Sequence, residues 1–218
     1  MTDRHSNHTI HSVSHHFGWD NSNKPIQRVR SGTIIEIETL DSSGEQLNIN
    51  STIEDVKNLD FSKVNPVTGP IFIENAKEGD VLEVEFLDFI TSGWGWTAII
   101  PGFGLLADEF SEPDINLWKY DSNNPIQSLY STFGKVPLKP FVGTIGLALK
   151  EPGNHSIVPP RHCGGNLDIK DLTKGSVIRF PVQVPGALLS LGDTHAAQGD
   201  GEVCGTAIES PMKVVIKI

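Results

Sequence analysis

RSGTIIEIETLD (residues 30–41), KEGDVLEVEFLD (77–88) and TKGSVIRFPVQV (173–184) are three copies of one design: a charged or polar lead-in, a glycine, a small polar residue, then an alternating apolar run. The glycine supplies a turn, and the β-branched run after it supplies a strand whose alternate residues face a core. Acids at the other alternates, in IIEIE and VLEVEF, predict strands with one wet face, the usual antiparallel arrangement. Three such units predict a mainly β fold: sandwich- or barrel-like antiparallel sheets with long loops and a few short helices.

The rest of the composition agrees. The 218 residues include 21 Gly and 14 Pro, and no stretch of a dozen sustains an apolar period near ~3.6. Helix is expected only in short pieces such as residues 108–119, DEFSEPDINLWK, where Phe110, Leu117 and Trp118 stand among acids and Pro113 interrupts or restarts the turn. With 38% hydrophobic and 20% charged residues, the chain reads as a soluble globular protein long enough to bury a sizeable core. Lys and Arg number 17 against 27 Asp and Glu, a net charge of −10, and the basic residues form no run. That excludes nucleic-acid binding through phosphate contacts. No apolar stretch approaches the ~20 residues that span a bilayer, and the N-terminus is polar and His-rich where a signal peptide would be apolar. The expectation is a cytoplasmic protein without a membrane partner. Residues 1–14, with His5, His8 and His11, read as a flexible tail, and 15–218 as one β domain. Cys163 and Cys204 are expected to be free thiols.

Chemistry is concentrated in GDTHAAQGDGEVCGTAIE (192–209), which sets Asp193, His195, Asp200, Glu202 and Cys204 among small residues. Asp193 and His195 stand two apart, so an extended chain projects both onto one face, as half of a metal site. In RHCGGNLDIKDLT (161–173), Asn166 and Asp168 share that spacing and could meet them across neighbouring strands. HHFGWDNS (15–22) offers His16 as a further ligand. Glu202 follows a Gly-Asp-Gly turn able to fold it back toward Asp193 and His195 as a proton carrier, whereas Asp200 reads as a turn residue capping a backbone amide. In GWGWTAIIPGFG (93–104), Trp94 and Trp96 lie on one side of an extended chain, where they either wall a small pocket or fill a core edge.

The 192–209 segment resembles the signature of the acetamidase/formamidase family. HHFGWDNS, GPIFIENAKEGDVLEVEF, GWGWTAIIPGFG, PFVGTIGLA and IVPPRHCGGNLDIKDLTKGS are similar to further family segments in the same order, from about His15 to Glu209. The resemblance implies a mainly β hydrolase that cleaves the C–N bond of small linear amides such as formamide or acetamide, giving ammonia and a carboxylate. It implies a divalent cation, zinc first with calcium or manganese as alternatives, on Asp193 and His195, with Asp168 and His16 as further ligands. Asn166 would position these groups, Glu202 would be the acid/base or a further ligand, and Trp94 and Trp96 would line the substrate pocket.

Two rivals stand beside this expectation. Family members continue several tens of residues beyond the strand after GTAIE, and this chain ends at Ile218. That favours a C-terminally truncated, non-catalytic protein binding a metal or small ligand. A third possibility uses Cys204 as a nucleophile, although no base stands at an activating spacing. Open edge strands lead to the expectation of a homodimer or higher homo-oligomer.

Overall fold

The computed structural model describes residues 9–124, 128–130 and 134–218. The chain runs through β1 (Thr9–Ile10), β2 (His15–His16), β3 (Gln27–Val29), β4 (Ile34–Glu38) and the short helix α1 (Ile53–Lys57). There follow β5 (Val67–Ile73), β6 (Val81–Thr91), β7 (Trp94–Ile99), β8 (Asp114–Lys119), β9 (Ser128–Tyr130) and β10 (Lys135–Pro137). The last are β11 (Phe141–Gly146), β12 (Gly164–Asn166), β13 (Val177–Pro181), β14 (Leu189–Ala197), β15 (Ile208–Glu209) and β16 (Met212–Lys217).

The three repeated units lie in one sheet. Its order is β1-β4-β16-β6-β13, so β4, β6 and β13 are the strands that the repeats supply. Gly32, Gly79 and Gly175, the glycine of each unit, all have positive φ (85°, 91° and 87°), the same turn built three times. Ile35 and Ile37 of β4 and Val84 and Phe86 of β6 are fully buried. The acids between them meet cations on the outer face: Glu83 pairs with Arg179 at 2.6 Å, and Glu36 and Glu38 with Lys213 at 3.3 and 3.1 Å. Pairs this exposed contribute ~0–1 kcal/mol each, so the sheet is held by its inner face.

The second sheet has eleven strands, in the order β10-β9-β8-β7-β15-β14-β11-β12, with β5 pairing β14 and carrying β2 and β3. The sheets share one apolar core, to which β4, β6 and β16 give Ile35, Phe86 and Val214 and the second sheet gives Ile71, Val142 and Leu191. The mainly β, largely antiparallel architecture is the one expected.

Local expectations divide. Residues 114–119 are strand β8 rather than helix, paired in register with β7 from Trp94↔Lys119 to Ile99↔Asp114. Pairing with β7 overrides the local helix signals because the alternation INLW gives each face a partner. Ile115 and Leu117 pack with Trp96 and Ile100 on one side, while Trp118 Nε1 donates to Thr97 Oγ1 at 3.0 Å. Helix occurs at Ile53–Lys57, where the Asp55 carboxylate accepts from Thr52 N at 2.7 Å. Within the stretch read as a tail, β1 pairs in parallel with β4 and Ile10 is buried in the core. His5 and His8 lie outside the described residues. Cys163 and Cys204 are both free. Among the described residues no helix is long and apolar enough to cross a membrane.

Candidate metal centre

Strand β14 is buried along its whole length. One edge pairs with β11, while the other is shared between β5 at its start and β15 at its end. A strand enclosed this way has no solvated face for polar side chains, yet it carries Asp193 and His195, 3% and 1% exposed. Such groups persist in a core only when paired or when holding an ion. Thr194 turns the other way and donates to Ser210 O at 2.6 Å, so Asp193 and His195 do share a face.

The two side chains touch, with His195 Nε2 3.1 Å from Asp193 Oδ1. Register across β14 and β15 places Glu209 opposite His195, and its Oε2 lies 3.3 Å from the same Nε2. On the far side of the ring, Nδ1 is 2.9 Å from Gln198 Oε1. Gln198 donates its Nε2 to Asp168 O at 2.9 Å, which leaves Oε1 as an acceptor toward the histidine. Nδ1 therefore carries a proton, and Nε2 faces two carboxylates. Phe141 packs edge-on against the ring at 4.9 Å and holds its plane.

Asp168 completes the group from the loop after β12. The Gly143 carbonyl accepts from both Leu167 N at 2.9 Å and Asp168 N at 3.1 Å, tying that loop to β11. A Cβ on Gly143 would lie 2.9 Å from Asp168 Oδ1, 2.9 Å from Asp193 Oδ2 and 2.7 Å from Asp193 O, so only glycine lets the two acids converge. Asn166 Nδ2 donates to Asp168 Oδ2 at 2.9 Å, and the Thr144 hydroxyl lies 2.7 Å from Asn166 Oδ1 and 3.0 Å from Asp193 Oδ2. Ligand-type atoms of Asp168, Asp193 and His195 all lie within 4.8 Å of one another, as do those of His195, Glu202 and Glu209.

Electrostatics and backbone conformation set this cluster apart. Burial, with the charges of Asp193 and Glu202, pushes Asp168 up to about 8. Burial likewise pushes Glu202 up to about 7, with Glu209 and Asp193 adding to it against the pull of His195. Burial also raises Glu209. Burial alone would raise Asp193 too, but the His195 charge and its hydrogen bonds hold it below the usual carboxylate range. Burial opposes a charged His195, yet Glu209 and Asp193 raise it well above the ordinary imidazole value. Asp168 Oδ1 is buried without a hydrogen-bond partner, and the buried Glu209 Oε2 has only the His195 ring, at 3.3 Å, facing it. Asp168, Asp193 and Glu202 all adopt left-handed backbone, with φ of 49°, 50° and 40°. Each such residue costs ~1–3 kcal/mol, strain of the kind that concentrates at functional sites.

The group fits a divalent cation. Its donors are one imidazole nitrogen and several carboxylate oxygens, one of these oxygens, Asp168 Oδ1, is buried without a partner, and a Cβ on Gly143 would fill the cradle between two of the acids.

The sequence-predicted residues fall into two sets. Asp193, His195, Asp168, Asn166, Glu202 and Trp96 line one cavity of about 290 Å³. Trp96 is both wall and core: it donates Nε1 to the buried Asp41 at 2.9 Å and packs on Leu47 and Val56. His16 is not brought to the cluster. Its Nδ1 is 2.7 Å from Gly18 O and its Nε2 2.8 Å from Ser190 Oγ, so both nitrogens are engaged. Trp94 lines a separate groove with Leu40 and Met212. Asp200 pairs with Lys170 and is strongly exposed, while Cys204 Sγ is bonded to Thr206 and lines a separate apolar pocket with Leu106 and Phe110. Glu209, Gly143, Thr144 and Gln198 were not foreseen. An acid two residues after Ala207 in an otherwise apolar strand was the one available signal for Glu209.

Fold and site together define a two-sheet β protein with a buried, metal-capable carboxylate–histidine group on its central strand. The chain belongs to the Acetamidase/Formamidase family, whose profile matches residues 2–155 and 150–218. It is 31% identical to a formamidase of Methylophilus methylotrophus over 93% of this chain and 63% of that protein. It is 30% identical to an acetamidase of Mycolicibacterium smegmatis over 91% of this chain and 64% of that one. The chain thus spans less than two thirds of these relatives' length. Among solved structures it is similar to an acetamidase from Bacillus halodurans, with a TM-score of 0.88 and 35% identity over 96% of this chain and 69% of the other. A gamma lactamase from Delftia acidovorans superposes with a TM-score of 0.86 at 27% identity, over 94% of this chain and 63% of that one.

Proposed function

We propose that the chain hydrolyses small carboxamides of the formamide or acetamide type, with a divalent cation, zinc first, held by Asp193, His195, Glu209 and Asp168. The observation that carries this is the buried His195 Nε2, set against Asp193 and Glu209 while Gln198 occupies Nδ1. A nitrogen so placed needs a positive partner, either a proton or a metal ion. The formamidase and acetamidase names of the relatives support the amide as substrate.

In R–CO–NH2 + H2O, a C–O bond forms, the C–N bond breaks, and the products are R–COO⁻ and NH4⁺. A bound divalent cation supplies Lewis acidity, which makes water more acidic and polarises the carbonyl. Without a cation, burial and its acidic neighbours push Glu202 up to about 7, and its side chain lines the cavity beside Asp193 and His195, where a proton carrier has to stand. Its carboxylate takes the proton from the attacking water and returns it to the nitrogen as the C–N bond breaks. Asn166 holds Asp168 in place, Gln198 fixes the His195 tautomer, and Trp96 excludes water from one wall.

Ammonia release from formamide and acetamide, compared between the native chain and Glu202→Gln, tests the assignment. Glu202→Gln should lower kcat by ~10²–10⁴-fold, the usual range for losing a general acid–base group, and leave the cation bound. Undiminished turnover would remove Glu202 from the reaction.

A further inference from the structure

The cavity that holds the acids is larger and greasier than a formamide or acetamide requires. At about 290 Å³ it has room for roughly ten water-sized groups, taking about 30 Å³ for each. Beyond the polar cluster and Trp96, its wall includes Leu59, Phe61, Val64, Ile100, Phe103 and Val158. Ile100 is buried, whereas Phe61, Phe103 and Val158 are 52%, 44% and 55% exposed. Large apolar side chains gathered in one patch mark a surface that another group covers, and at the mouth of a pocket whose wall is apolar that group is the ligand's own apolar part.

Phe103 is built in. Phe103 N donates to Ile100 O at 3.0 Å and Leu105 N to Val203 O at 2.9 Å, binding this loop to the turn that carries Glu202. The ring sits where a Cβ on Gly205 would be, 2.3 Å from Phe103 Cε1, and Gly205 is itself at φ +83°. Across the mouth, Phe61 meets Phe103 edge to face at 5.7 Å.

Resting on the amide-hydrolysis reading above, we infer that the pocket takes amides whose acyl group is apolar and longer than acetyl, and that Phe61 and Phe103 set this preference. The amide head lies at the carboxylate–histidine cluster, and the acyl chain lies along the apolar wall toward the two rings.

Ammonia release from acetamide, butanamide, hexanamide and phenylacetamide by the cation-loaded protein tests this. Burial of one methylene corresponds to about a fourfold gain, so kcat/KM should climb by about that factor per carbon up to hexanamide, mainly through KM. Phe103→Ala and Phe61→Ala should each lower the hexanamide-to-acetamide ratio by about fivefold or more. A flat series with acetamide turned over would overturn the inference and leave the hydrolysis standing, as would a preference that both alanine variants retain. Release from none of the amides would overturn the hydrolysis instead. Tryptophan-fluorescence titration with hexanamide and acetamide then decides the pocket, equal binding of both overturning the apolar preference.

Discussion

Substituting Gly143 by alanine should damage the site without removing any donor atom. The added Cβ would fall 2.7 Å from Asp193 O and 2.9 Å from each of Asp168 Oδ1 and Asp193 Oδ2. None of these is an ordinary contact for carbon. Asp193 O belongs to a strand buried on both edges, and Gly143 O is itself held by the amides of Leu167 and Asp168. The backbones therefore resist, and the two carboxylates give way by separating. Overpacking of this kind costs ~1–3 kcal/mol, and for a chain of this length each kcal/mol moves Tm by ~2–4 °C. A fall in Tm of roughly 2–12 °C is expected without cation. Cation at 100 times its Kd stabilises the native chain by ~2.7 kcal/mol, and a tenfold loss of affinity removes ~1.4 kcal/mol of that. Thermal unfolding of native and G143A protein, with and without zinc, measures both terms. An alanine variant with native Tm and an undiminished zinc increment would refute the claim that Asp168 and Asp193 are held together over Gly143.

Glu209→Gln keeps the volume and the acceptor for Ala207 N but removes the charge facing His195 Nε2; calorimetric titration should show zinc affinity falling by more than the ~10–100-fold typical of outer partners. Without cation, Asp168 and Glu202 titrate at about 8 and about 7, above their ordinary values, so the stability they lend is full below about pH 4 and is lost as pH rises through 7 to 8. His195, also raised, acts in the same direction above its ordinary 6.5, so the Tm of cation-free protein should fall from pH 5 to pH 8.5 while the zinc increment grows. A cation-free Tm that rises over that interval would show that these groups are not buried in their charged neighbourhood. Trp96→Phe removes the indole donor to buried Asp41 and should cost ~1.5–3 kcal/mol by denaturant unfolding, a native midpoint arguing that this bond contributes nothing.

Much of this was legible in the chain because it rests on local pattern. The repeated Gly-polar-strand units foretold β4, β6 and β13 down to the shared left-handed glycine, since turn and alternation are properties of a dozen residues. The two-residue spacing of Asp193 and His195 likewise needed only an extended chain. What escaped depends on pairing between distant strands. Glu209 enters the site through its register opposite His195, and Gly143 through its place over Asp193 and Asp168, neither of which a single segment announces. Trp94 packs against the apolar cluster that holds Trp96, but of the two Trp96 alone lines the cavity. At residues 114–119 the edge of β7 overrode local helix signals. His16, an attractive ligand in isolation, is taken up by Ser190 of β14 and by its own turn.

The decisive measurement is ammonia release from formamide, acetamide and hexanamide, paired with the metal content of the same sample before and after chelation. Close to one divalent cation per chain is expected, with activity lost on chelation and restored by stoichiometric zinc, and with H195A inactive and metal-free. Undiminished ammonia release from the chelated, metal-free chain would contradict a cation-dependent site at Asp193 and His195.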